Sequence, residues 1–233
     1  MIANRVFLLI VIFSSVVTLL IAGDAAAARK PKIQTGPDAE VSYDGLHRVD
    51  RTVVDEAWVK PDIDLTRYNK IMVVSGGVSY RDVKEPPPRS YRSRTGNFPL
   101  SEKQKKRFEK IVLESFVEEL RKVERFEMVR RPGPDTMVIV GFVLDVVSRI
   151  PPEPMGRGGI FLTEVGSATL ALQIHDSQSN EILARIIDRR TAESTRMIDA
   201  HSANSWAEAR RVTRSWAKLL RKRLDQVGEF TGD

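Results

Sequence analysis

Two runs near the middle of the chain carry the clearest pattern of apolar and polar positions. In Ser167–Thr191 the side chains of Ala168, Leu170, Leu172 and Ile174 alternate with Ser167, Thr169, Gln173 and His175. A period of two marks a strand with one buried and one wet face. Ile182, Ala184 and Ile186 resume the apolar set after a polar stretch around Ser177–Asn180. Pairing Ile174 with Ile182 keeps both sets on one side, which predicts a hairpin. Thr136–Ser148 is apolar at both parities: Met137, Ile139 and Val143 on one, Val138, Val140, Phe142 and Leu144 on the other. This pattern predicts a central strand covered on both faces. Its β-branched content, with Pro134 and Pro151 flanking it, argues against a buried helix.

A different period governs Ser101–Val123. Phe108, Val112, Phe116, Leu120 and Val123 fall on one stripe, with Ile111 and Leu113 at its margins, as an amphipathic helix requires. Ser101 and Gln104 have capping-box spacing. A second helix is predicted late in the chain, with Ser205 and Glu208 as its cap and Trp206, Ala209, Val212, Trp216, Leu219, Leu220 and Leu224 as its buried arc. Lys70–Ser75 reads as a first strand ending in Gly76-Gly77, and Phe126–Arg130 as a brief one. The order is then β-α-β-β-β-β-α. It predicts an α+β two-layer sandwich, a five-stranded mostly antiparallel sheet with two amphipathic helices.

The rest of the chain lacks periodicity. Met1–Ala27 has Arg5, a short apolar run from Val6 to Ile21 and an Ala25-Ala26-Ala27 exit, which predicts a signal peptide cleaved after Ala27, with Ala28 the next choice. Residues 28–43 read as a flexible tether and 44–233 as a single domain, with Asp44–Tyr68 an arm packed on it by Trp58 and Leu65. Arg81–Pro99 holds three consecutive prolines among arginines and Tyr91 and reads as a long loop. Pro151–Gly159 is a second loop rich in proline and glycine.

Composition narrows function mainly by exclusion. There is no cysteine, which rules out thiol catalysis, thiolate metal sites and lipid attachment through cysteine. His47, His175 and His201 show no metal-ligand spacing, and His175 and Asp176, neighbours on a strand, point to opposite faces. The glycine-rich stretches Ser75–Gly77 and Gly156–Gly159 are not followed by helices, so they do not match phosphate cradles. No cofactor and no metal is predicted. The net charge is +6. Arg210, Arg214, Lys218 and Arg221 form a basic stripe on the last helix, and Arg89, Arg92 and Arg94 crowd the first loop. These residues are the candidate surface for an anionic partner. The expectation is an exported, non-enzymatic protein of the periplasm or cell envelope that binds an envelope protein or an anionic envelope polymer. The alternatives are a hydrolase of cell wall or lipid and a nucleic-acid binder, the latter disfavoured by export.

Several landmarks also line up in order: Gly45-Leu46, Trp58–Pro61, Leu65 with Tyr68-Asn69-Lys70, Pro132–Asp135, Gly166–Ala168, Asp176-Ser177 with Glu181, and Trp216-Ala217 with Leu220 and Leu224-Asp225. Together they resemble the bacterial envelope proteins grouped as domain of unknown function 3313. The resemblance implies an envelope location, a lipoprotein-like export signal and no catalytic residues to carry over. Asp24 stands where the lipidated cysteine of such lipoproteins would be, which leaves membrane association open.

Overall fold

The computed structural model describes residues 31–84, 96–151 and 159–226. The chain divides near Pro31, and the unit that follows, Lys32–Asp233, is the one described. Its elements run β1 (Lys32–Ile33), β2 (His47–Asp50), β3 (Glu56–Val59), β4 (Lys70–Tyr80), α1 (Glu102–Leu120), β5 (Glu127–Met128), β6 (Thr136–Ser148), β7 (Phe161–Asp176), β8 (Ile182–Asp199) and α2 (Ala203–Asp225). Among the described residues no helix is long and apolar enough to cross a membrane.

The α+β class holds, but the predicted five-stranded, mostly antiparallel sheet does not. One eight-stranded mixed sheet runs in the order β1-β2-β3-β8-β7-β6-β4-β5. Two physical facts account for the difference. The strand–helix–strand passage β4–α1–β6 closes with β4 parallel to β6, and β5 joins β4 in parallel on its other side. A helical crossover is the ordinary way to bring two strands side by side in parallel. The other three strands come from the stretch read as tether and arm. They are two to four residues long, too short to show a period. What orders them is pairing: β3 lies antiparallel on β8 from Glu56↔Ile187 to Val59↔Ala184, and β2 and β1 build outward from it.

Both helices cover the same face of the sheet. Met137, Ile139 and Val143 of β6, Leu170 and Leu172 of β7, and Phe108, Leu120, Val212, Trp216 and Leu220 of the helices form one core. The helices run side by side in the same direction. Arg107 lies over the Trp206 ring at 4.6 Å near their starts, Ser115 meets Thr213 at 2.9 Å midway, and Glu119 meets Arg221 at 3.5 Å near their ends. Ser101 and Gln104 form the predicted capping box of α1. The cap of α2 is Ser202, not Ser205; Ser202 accepts from the Asn204 backbone N–H, and Ser205 is buried one turn further on.

Two buried carboxylates tie the layers and the hairpin end together. Asp188 accepts from Trp216 Nε1 and from Arg190 Nε, each at 2.7 Å, and Arg190 Nη1 donates to Ser215, tying α2 to the sheet. At the β7–β8 turn, buried Asp176 accepts from Tyr68 Oη at 2.7 Å, Arg67 Nη2 at 2.6 Å and the Ser179 and Gln178 amides. Those bonds, the Ser179 amide first and Tyr68 next, hold its carboxyl well below the usual range. The predicted pairing of Ile174 with Ile182 shifts by a bulge: Ile174 faces Ala184, and His175 faces Ile182.

Candidate functional site

β6 is central, as its composition demands, but among the described residues only one of its faces is covered by the helices. Val138, Val140, Phe142 and Leu144 point away from the helices, and none of them joins the core. Register carries this face onto the neighbouring strands: Met72 beside Val138, Val74 beside Val140, Ala171 beside Phe142, and Ile187 beside Ala171. All of these residues are half-buried by their neighbours except Val74, which is 37% exposed. The Phe142 ring lies across Gly76, where a Cβ would come within 2.2 Å of a ring carbon. Glycine at that position lets the backbone of β4 bulge beside the ring, and β4 continues past the two glycines to Tyr80.

Charged groups bound this apolar row, and the acids beside them neutralise the arginines. On the β8 side Arg185 pairs with Asp44, and Arg48 pairs with Glu40 at 2.8 Å. At the far end of β6, Asp145 receives Arg81 Nε at 2.7 Å and Arg189 Nη1 at 2.8 Å, while Arg189 also donates to Ser167. Asp145 adopts φ of 55°, a conformation that aspartate tolerates better than most residues. The Arg81 hydrogen bond, opposed by partial burial and helped by Arg189, lowers its carboxyl to about 2. Carboxylates clamped by arginine in this way are ionised at neutral pH and poorly placed to exchange protons.

The predicted site residues divide into three groups. Arg210, Arg214, Lys218 and Arg221 do lie along α2, but α1 sets acids against two of them. Arg214 meets Glu118 at 2.8 Å, and Arg221 meets Glu119 at 3.5 Å and Asp225 at 3.3 Å. Arg210 and Lys218 are exposed and make no ion pair among the described residues. Arg89, Arg92, Arg94 and the Ala27 cleavage position lie outside the described residues. The histidines are not brought together. His47 Nδ1 meets the Gln34 carbonyl at 2.7 Å, His175 sits between Gln173 and the Asn180 carbonyl, and His201 is exposed. Among the described residues no group of three acidic or histidine side chains is placed to hold a metal. A cavity of about 70 Å³ between the helix starts and the end of the sheet is lined mainly by Phe108, Val146, Val165 and Trp206.

Sequence reasoning did not single out the open face. Its signal was present, since β6 is apolar at both parities, but that pattern says only that both faces avoid water.

With this geometry in place the class can be stated: a single-layer mixed sheet roofed on one side by two parallel helices. The sequence matches the model of the family described as protein of unknown function (DUF3313) over residues 38–220, and the chain belongs to that family. No curated protein matches it. Among solved structures it is similar to protein XCC0632 from Xanthomonas campestris, with 13% identity over 70% of this chain and 86% of that one at a TM-score of 0.34. A PelC dodecamer from Paraburkholderia phytofirmans shows 11% identity over 82% and 97% at 0.30. The hypothetical protein CT253 from Chlamydia trachomatis shows 12% identity over 68% and 92%, also at 0.30. Likenesses this distant carry no argument about activity.

Proposed function

We propose that this protein is exported to the cell envelope and works there by binding a macromolecular partner through the open face of its sheet, not by catalysis. The supporting observation is the uncharged row of Met72, Val74, Val138, Val140, Phe142 and Leu144, which lies outside the core of a chain that is 29% charged. Contiguous apolar surface bounded by polar groups is what protein-binding surfaces present. The rim arginines are already matched to acids, so this face has little charge to offer an anionic polymer. The export part of the proposal rests on the leader-like Met1–Ala27.

The experiment measures retention of the mature protein on washed envelope fractions. Val138→Glu with Val140→Glu lowers retention at least tenfold, while Arg210→Glu with Lys218→Glu leaves it within twofold. The opposite result transfers the site to α2, whose exposed Arg210 and Lys218 make no ion pair among the described residues and support an anionic partner as the second reading. Retention unchanged by both pairs removes the binding proposal. N-terminal sequencing of the exported chain tests the leader, and a start at Ala28 is expected.

A further inference from the structure

The two edges of the sheet are finished differently. One ends in β1, two residues long and beginning with a lysine. A short, charged edge strand is a common defence against unwanted pairing. The other is β4. Its outer neighbour, β5, pairs with Lys70 and Ile71 only, while β4 runs on to Tyr80. From Met72 to Ser79 that edge has no strand beside it among the described residues. Val74, Ser75, Gly76, Gly77 and Ser79 are exposed, and the stretch holds no charged residue and no proline.

The backbone fixes which groups face outward. The carbonyl of Ile71 accepts from the Val129 amide, on the β5 side. Backbone groups of a strand alternate between its two edges, so the N–H and C=O of Val73 and Ser75 also point outward. The helix layer adds a matching feature above this edge. Ser115 meets α2 through Thr213, with Glu118 and Glu119 of the same side paired to Arg214 and Arg221. At 100° per residue, Leu113 and Val117 lie about 160° and 200° round the helix from Ser115, on the flank turned away from α2. α2 lies over β7 and β8, so that flank is on the β4 side. Leu113 is 61% exposed and Val117 36%.

We propose that the β4 edge and the Leu113/Val117 flank of α1 together form a homodimer interface. In it, β4 pairs antiparallel with β4 of a second copy across a two-fold axis. The choice of a second copy follows from charge. A two-fold contact sets each group near the axis against its own duplicate, which a charged edge would resist and this uncharged one does not. The same operation brings the two α1 helices alongside each other above the joined strands, covering Leu113 and Val117. A lone extended peptide on the β4 edge would leave those two side chains in water. About seven paired residues span about 23 Å, and the contact is two layers deep. That is the small end of specific interfaces, so the dimer dissociates on dilution.

Sedimentation of the mature chain from 1 to 200 µM tests this. The expected result is a shift from monomer to dimer mass across that range. Val74→Lys with Ser75→Lys, and separately Leu113→Glu, hold the chain at monomer mass at 200 µM with unchanged circular dichroism. All three positions are exposed, so folding is not at risk. Hydrogen exchange gives a second readout: the Val73 and Ser75 amides are protected in the concentrated wild type and exchange at least tenfold faster on dilution. A wild type that stays monomeric at 200 µM overturns the proposal. So does a dimer whose Val73 and Ser75 amides remain unprotected, which would place the contact elsewhere. Protection of those amides only when envelope proteins are added would assign the edge to a partner's strand and equally overturn it.

Discussion

The two faces of β6 are nearly matched in composition and opposite in circumstance. Met137, Ile139 and Val143 point to the helices and are 3% exposed or less. Val138, Val140, Phe142 and Leu144 point the other way and belong to no core. The covered side also carries the polar ties that fix its roof, with Asp188 joined to Trp216 and Arg190. Ionic groups on the open side are paired at the surface, and among the described residues no helix lies over the middle of the face. An apolar pattern therefore records that a surface avoids water. Whether the chain supplies the cover itself depends on which elements return to that side, and both helices return to one.

The greatest damage comes from removing the roof. Trp216 is 1% exposed and hydrogen-bonded to Asp188 at 2.7 Å. Trp216→Ala leaves a large cavity and an underused buried carboxylate, and costs roughly 3–5 kcal/mol, the range for aromatic truncation in a core. Urea unfolding measures it. A loss below about 1 kcal/mol would mean that α2 does not hold the sheet as described.

Next in size is the knot at the end of the hairpin. Asp176→Asn keeps an acceptor for the Ser179 amide but loses the charge facing Arg67 and Tyr68. Breaking a fully buried pair costs about 3–5 kcal/mol; because the Arg67 side chain is 56% exposed, we expect about 2 kcal/mol at pH 7. The sign with pH follows from linkage. The folded carboxyl is held below its ordinary value of 3.8, so its stabilisation is complete above that pH and drains away as pH falls below it. Wild type and variant therefore differ most near neutrality and draw together progressively as pH falls below about 4, as read by urea midpoints. Asp145, lowered to about 2, adds to the same acid loss in both proteins. A gap that widens in acid would show that the Asp176 charge is not what stabilises the turn.

Several of these features could be read directly from residue order. The strands β7 and β8 follow from their alternation, β6 from a run that is apolar at both parities, and Ser101 with Gln104 marks the start of α1. The scattered landmarks from Gly45 to Asp225 were enough to point to the family. Other features have no local signal. β3 forms on the edge that β8 offers and β2 on the edge that β3 offers in turn, and nothing in His47–Asp50 or Glu56–Val59 announces that. The parallel placement of β4 beside β6 is a property of the α1 crossover and not of either strand. The basic stripe of α2 was legible, but the neutralisation of Arg214 and Arg221 needs the knowledge that α1 lies alongside in the same direction. Asp145 illustrates the limit best. Its neighbours look like ordinary strand residues, while its left-handed backbone and two arginine partners come from a bulge set by packing on β7.

The smallest expected effect makes the sharpest test of the two faces, because one substitution can be placed on each. Val→Thr keeps the shape of the side chain and exchanges a methyl for a hydroxyl. At Val143, 3% exposed among Leu170 and the helices, the hydroxyl leaves water without an assigned partner and costs about 1–3 kcal/mol. At Val138, on the same strand and half-buried by its neighbours alone, the hydroxyl stays hydrated, and the change is within about 0.5 kcal/mol. Thermal or urea unfolding of the dilute monomer compares them directly. Equal costs at the two sites would mean that the second face is covered by the protein's own chain, and the open surface on which partner binding rests would not exist. Unequal costs, with Val138→Thr still lowering envelope retention, would separate what the open face does for stability from what it does for binding.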